Sequence, residues 1–167
     1  LEEIYKIDDM KISIKTRIGK DSAEEFYELI KIYNKYPLEE LIIHPRTRQD
    51  FYGNTPNLEV FKDALNLSKS PVCYNGDIFT LGDNEKIIKA FPEIDRIMIG
   101  RGILANPALM NEIHNYTFVD KKVLKDFHDE LFEQYKELLK AFDIPAKITI
   151  RKNLPIVHSS FTIQGRS

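Results

Sequence analysis

Four short polar motifs in this chain have residue types suited to chemistry, and each closes an apolar run: Lys15-Thr16-Arg17, His44-Pro45-Arg46-Thr47-Arg48, Asn75-Gly76-Asp77 and Gly100-Arg101-Gly102. Gly100-Arg101-Gly102 joins glycines, which let backbone N–H groups approach a phosphate, to a guanidinium that can bind one through two hydrogen bonds. Taken alone, such a trio is as readily a tight turn with a surface arginine. Asn75 can donate and accept, as ring edges and phosphates require. Its plain alternative is an Asn-Gly turn, weakened because a helix follows rather than a second hairpin strand. Lys15 is expected on an inward strand face. A buried ammonium there needs an anion, either a ring that becomes electron-rich on reduction or an acidic neighbour such as Asp77. His44 could hydrogen-bond a ring or move a proton, or be a satisfied strand-end histidine. Arg46 and Arg48 read as a small cationic loop beside it, suited to nucleic-acid phosphate or to a solvated turn.

Strands and helices must bring these groups together. Residues 11–18 alternate strictly and predict a strand, with Ile12, Ile14 and Ile18 on one face and Ser13, Lys15 and Arg17 on the other. Ser22-Ala23-Glu24-Glu25 is a capping-box sequence ahead of a helix with Phe26, Leu29, Ile30 and Tyr33 on one stripe, stopped near Pro37. Residues 41–43 predict a second strand, ending in His44. Thr55-Pro56 reads as an N-cap followed by a first-position proline, with Leu58, Phe61 and Leu65 as the buried face. Residues 71–74 predict a third strand, residues 96–99 a fourth, and Thr80-Leu81-Gly82-Asp83 opens a helix with Ile87, Ile88 and Phe91 inward. Residues 103–114 predict a helix interrupted early by Pro107, and Leu124, Phe127, Leu131, Tyr135, Leu138 and Phe142 keep helical spacing beyond it.

Four β-α units in a row predict an α/β fold with a parallel sheet, the second half of a (β/α)8 TIM barrel, followed by an all-helical C-terminal domain. The expected boundary gives a half-barrel over residues 1–116 and a helical module over 117–167. Polar groups at the carboxyl ends of parallel strands are where such folds place ligands. Half a barrel leaves open sheet edges, which are costly in water. Leu1 is no initiator, so the chain reads as part of a longer protein.

Bulk properties narrow the function classes. With 43% apolar residues a packed core is expected over 167 residues, and global disorder is not. A formal net charge of -2 means nucleic-acid contact must come from a local patch, such as Lys147, Arg151, Lys152 and Arg166 in the tail. The single cysteine, Cys73, excludes an internal disulfide framework, fits a reducing compartment such as the cytoplasm, and reads as a small core residue. No apolar run is long enough to span a bilayer. His114, His128 and His158 show no metal-ligand spacing, and no metal is expected.

In order and spacing, the four motifs resemble the tRNA-dihydrouridine synthase family. The resemblance rests on Ile12-Ser13-Ile14-Lys15-Thr16-Arg17-Ile18-Gly19, on Ile42-Ile43-His44-Pro45-Arg46-Thr47-Arg48-Gln49-Asp50-Phe51-Tyr52, on Pro71-Val72-Cys73-Tyr74-Asn75-Gly76-Asp77-Ile78, and on Met98-Ile99-Gly100-Arg101-Gly102-Ile103-Leu104-Ala105-Asn106-Pro107. It covers roughly residues 10–110, with a weaker likeness in the helical tail. It implies an FMN enzyme that reduces uridine in tRNA to 5,6-dihydrouridine with NADPH, monomeric when intact. It also implies that Lys15 and His44 contact the flavin ring, and that Asn75, Gly76, Asp77, Gly100 and Arg101 hold the ribityl chain and phosphate. Arg17, Arg46 and Arg48 would lie where tRNA enters. The family's catalytic cysteine sits in an Asn-x-Gly-Cys-Pro context that this chain lacks, so the acid is expected upstream and the chain alone is expected to be inactive. Pro45 stands where glycine is common and is expected to stiffen the loop after His44. Two other readings are open: another FMN barrel oxidoreductase acting on a small molecule, in the manner of dihydroorotate dehydrogenase, or a non-catalytic tRNA-binding remnant.

Overall fold

Residues 2–6, 10–51 and 53–141 are described by the computed structural model. Three strands, β1 (Ser13–Gly19), β2 (Glu40–Thr47) and β3 (Val72–Tyr74), form one parallel sheet in the order β1-β2-β3. The helices are α1 (Phe26–Tyr33), α2 (Leu58–Leu67), α3 (Leu81–Ala90), α4 (Arg101–Ala105), α5 (Leu109–Asn115) and α6 (Lys121–Ala141). The chain divides into two compact units. One comprises Leu1–Asp77 and Glu85–Gly100, the other Ile78–Asn84 and Arg101–Ser167, so the division falls within α3.

The first unit is a run of β-α units around an apolar core. Phe26 and Ile30 of α1, Leu41 and Ile43 of β2, and Val60, Phe61 and Ala64 of α2 are buried. Phe61 packs edge-on against Tyr74 and Phe91 at centroid distances of 4.9 and 5.1 Å. The capping box forms as expected. The Ser22 side chain accepts from the backbone of the first turn, and the Glu25 carboxylate accepts from the backbone N–H of Lys20, Asp21 and Ser22. The first turn, Ala23–Glu25, is a 3-10 turn that runs into α1.

Four local expectations are corrected. The N-cap of α2 is Asn57, whose side chain accepts from the Val60 N–H. Asn57, not Thr55, supplies the capping oxygen, so the helix starts two residues later than the Thr55-Pro56 reading. The buried face of α2 turns with it, leaving Leu58 exposed and Val60 and Ala64 inside. Residues 96–99 do not form a strand; a single parallel bridge joins Tyr74 to Ile97. The contact is confined to Tyr74, whose N–H donates to Arg96 and whose carbonyl accepts from Met98. On α3, Ile87 is buried and Ile88 is exposed.

The second unit is helical among the described residues. Pro107 separates α4 from α5, as expected from its missing N–H. Gly102 lies so close to the Ile78 carbonyl that a Cβ there would be 2.0 Å from its oxygen. The expected stripe on α6 forms a continuous helix, with Phe127, Leu131 and Leu138 exposed. Phe142 and the basic residues Lys147, Arg151, Lys152 and Arg166 lie outside the described residues.

Candidate functional site

β2 is the central strand, yet it carries Pro45, which cannot donate to a ladder. The register explains the tolerance. Arg17 pairs with His44 and Gly19 with Thr47, so β2 accommodates one residue more than β1 between these pairs. A bulge is where a sheet accepts proline. The Pro45 carbonyl is used, accepting from the Asn57 N–H at 2.7 Å. The expectation of a loop after His44 is therefore corrected: residues 44–47 are strand and buried, and the exposed segment begins at Arg48.

Arg46 is consequently no surface arginine. Its side chain is 2% exposed and binds Asp77 through both carboxylate oxygens, Nη1 to Oδ1 at 3.0 Å and Nη2 to Oδ2 at 2.5 Å. Its Nε donates to the Asn54 carbonyl, and its Nη1 lies 3.4 Å from His44 Nε2. The hydrogen bonds from Arg46 to Asp77 hold the guanidinium firmly protonated. Asp77 thus takes Arg46 as its cation, and the alternative of Lys15 as the buried partner of Asp77 is corrected: Lys15 is exposed.

His44 is buried, and burial, followed by the charges of Arg17 and Arg46, holds its ring below the ordinary histidine value. These surroundings favour the neutral ring. Partial burial and neighbouring Arg17 also lower Lys15, with Cys73 acting in the opposite sense. Arg17 ties β1 to the segment after β2, donating from Nη1 to the Thr47 carbonyl at 2.6 Å and from Nη2 to the Phe51 carbonyl at 3.1 Å. Asp50 caps the same segment by accepting from the Thr47 N–H and hydroxyl at 2.7 and 2.8 Å. Phe51 adopts a left-handed φ of 47° and is exposed.

Asn75 continues from β3, its N–H donating to Ile43 and its side-chain amide to the Met98 carbonyl at 2.8 Å. At Gly76 a Cβ would meet the Tyr74 hydroxyl at 2.0 Å, whereas at Gly100 it would meet nothing within 4 Å. Gly100 thus leaves room for a close approach to its backbone. Cys73 is buried and its thiol is pushed up to about 11, mainly by burial and then by Glu40. In the second unit, Arg101 opens α4 with its guanidinium 5.4 Å above the Phe79 ring centroid. Among the described residues no cluster of three or more His, Cys, Asp or Glu could hold a metal.

Within the first unit, Lys15, Arg17, His44 and Arg46 influence one another, and Asp77 is drawn in through Arg46. Sequence reasoning did not point to Asn54 or Asp50. Asn54 acts through a backbone carbonyl, which carries no residue-type signal, whereas the Thr47-x-x-Asp50 spacing of a side-chain cap was legible.

Comparison with known proteins adds a family. The profile described as Dihydrouridine synthase (Dus) matches residues 1–159. A probable tRNA-dihydrouridine synthase of Rickettsia bellii is 28% identical over 116 residues, covering 69% of this chain and 35% of the relative. The tRNA-dihydrouridine synthase B of Pasteurella multocida is 27% identical over 173 aligned positions, covering 99% of this chain and 50% of the relative. The tRNA-dihydrouridine(20a/20b) synthase [NAD(P)+] of Schizosaccharomyces pombe is 34% identical over 96 residues, covering 58% of this chain and 29% of the relative. The chain spans half or less of the length of these relatives.

Proposed function

The chain belongs to the dihydrouridine synthase family, and from that premise we propose that the complete protein reduces uridine to 5,6-dihydrouridine in tRNA with FMN and NADPH. The observation that carries the reading is the coincidence of the family match with Lys15, Arg17 and Arg46 gathered around His44 on the paired strands β1 and β2. The donor chemistry fits an electron-rich ring: an exposed ammonium at Lys15, a neutral imidazole at His44 and open backbone at Gly100.

FMN, when bound, supplies hydride chemistry at the uracil C5–C6 double bond. The chain's own residues bind and orient. Lys15 and His44 would hold the flavin ring, Lys15 supplying positive charge and His44 a hydrogen-bonding imidazole. Asn75, Gly76 and Gly100 offer polar and backbone groups to the ribityl chain and phosphate, while Asp77 acts through Arg46. Arg101 is assigned to the phosphate from the family resemblance. Arg48, exposed at the end of β2, and Arg17, which shapes the segment after it, serve the RNA side. Arg46 is withdrawn from that role by its burial. Cys73, buried and with its thiol pushed up to about 11, is not the proton donor in this reading.

The test is turnover by the intact protein. Flavin should co-purify, and NADPH oxidation should depend on added unmodified tRNA. Turnover with dihydroorotate and none with tRNA would transfer the protein to the small-molecule oxidoreductases. Flavin-free protein that still binds tRNA would make it a non-catalytic binder.

A further inference from the structure

An arginine can only donate hydrogen bonds. If one of its N–H groups bonds to an imidazole nitrogen, that nitrogen must carry the lone pair. Arg46 Nη1 has two N–H groups. One serves Asp77 Oδ1 at 3.0 Å and the other faces His44 Nε2 at 3.4 Å. The guanidinium has little freedom to move away, because Nε is bonded to the Asn54 carbonyl and Nη2 to Asp77 Oδ2. It is also sealed from water, so its orientation is set by protein acceptors alone.

We propose that Arg46 is a positioning residue that fixes His44 as the neutral imidazole protonated at Nδ1, with Asp77 holding the guanidinium in place. The inference rests on the flavin reading only for its consequence: His44 presents a fixed, neutral ring to the cofactor and does not act as the acid. The surroundings agree. Arg17 stands opposite His44 in the β1–β2 register, Lys15 lies on the same strand as Arg17, and Asp77 is bound to Arg46. Three cations disfavour an imidazolium there. The contact that favours protonation is a hydrogen bond with the Asn75 backbone. Once Nε2 accepts from Arg46, the proton of the neutral ring lies on Nδ1.

Long-range proton–nitrogen NMR of the histidine rings reads the tautomer directly, without flavin, NADPH or tRNA. His44 is assigned by the signal that disappears in His44→Asn. The expected result is a neutral His44 with its proton on Nδ1 at pH 7.5, and a titration midpoint below that of free histidine, about 6.5. Arg46→Met should then raise the titration midpoint and release the ring into a mixture of tautomers. Wild-type His44 protonated on Nε2, or charged at pH 7, would overturn the proposal. So would a folded Arg46→Met protein with an unchanged ring signal. Where Arg46→Met does not fold, the wild-type tautomer alone decides. A failed tRNA turnover assay leaves this measurement untouched, so the two readings fail separately.

Discussion

A guanidinium sealed from water stays charged only if its N–H groups find acceptors, and Arg46 shows what that requires. Asp77, the Asn54 carbonyl and the lone pair of His44 receive it. Asp77→Asn removes the counter-charge and half of the fork, so the unfolding free energy should drop by about 1.5–3 kcal/mol, read from the denaturant midpoint. His44 adds a pH dependence whose sign follows from its lowered value. Below about pH 6.5 the unfolded chain takes up a proton that folded His44 refuses, so stability falls as pH falls through this window. The carboxylates of Glu25 and Asp50, also held low, act at lower pH, because their ordinary values are 4.5 and 3.8. Urea melts at pH 7.5 and 5.5 should differ for the wild type and converge for His44→Asn. Buried Cys73 should react with a thiol reagent orders of magnitude more slowly in the native protein than in denaturant. Residue types at the site were legible, since lysine, histidine and arginine at strand ends carry a signal. Pairing was not, because which cation Asp77 takes depends on the depth of Arg46, and depth depends on a bulge that no local pattern announces.

At the scale of elements, β2 carries most of what the sequence concealed. A proline after an apolar triplet reads as the end of a strand, and only the extra residue between Arg17–His44 and Gly19–Thr47 lets the strand pass through it. The capping box at Ser22 was legible because two side chains and three backbone donors satisfy each other locally. The missing fourth strand was not, because residues 96–99 have strand composition but meet β3 only in the bridge at Tyr74. Two glycines of one motif separate packing from ligand approach. Gly102→Ala drives a Cβ against the Ile78 carbonyl and should destabilise the fold by about 1–3 kcal/mol. Gly100→Ala meets nothing within 4 Å and should leave the melting temperature unchanged, while weakening flavin binding measured by fluorescence quenching in the intact protein.

At the scale of the whole molecule, the order of the motifs carried more than any of them singly. The family profile extends over residues 1–159, including the tail where the likeness in sequence is weaker. Nothing in the net charge of -2 draws the protein to RNA, so recognition has to be local. In the proposed reading Arg48 and Arg17 are the described residues that serve it. Binding of tRNA by the intact protein should fall as salt rises. The log–log slope should become shallower by roughly one for each phosphate-binding side chain removed, as in Arg48→Ala. The central claim is the chemistry. Dihydrouridine is uridine plus two hydrogens, so mass spectrometry of nucleosides from total tRNA reads it directly. Disrupting the gene should remove dihydrouridine from at least one tRNA position, and re-expression of the intact protein should restore it. Unchanged dihydrouridine at every position after disruption, in cells with no second synthase, would contradict the account.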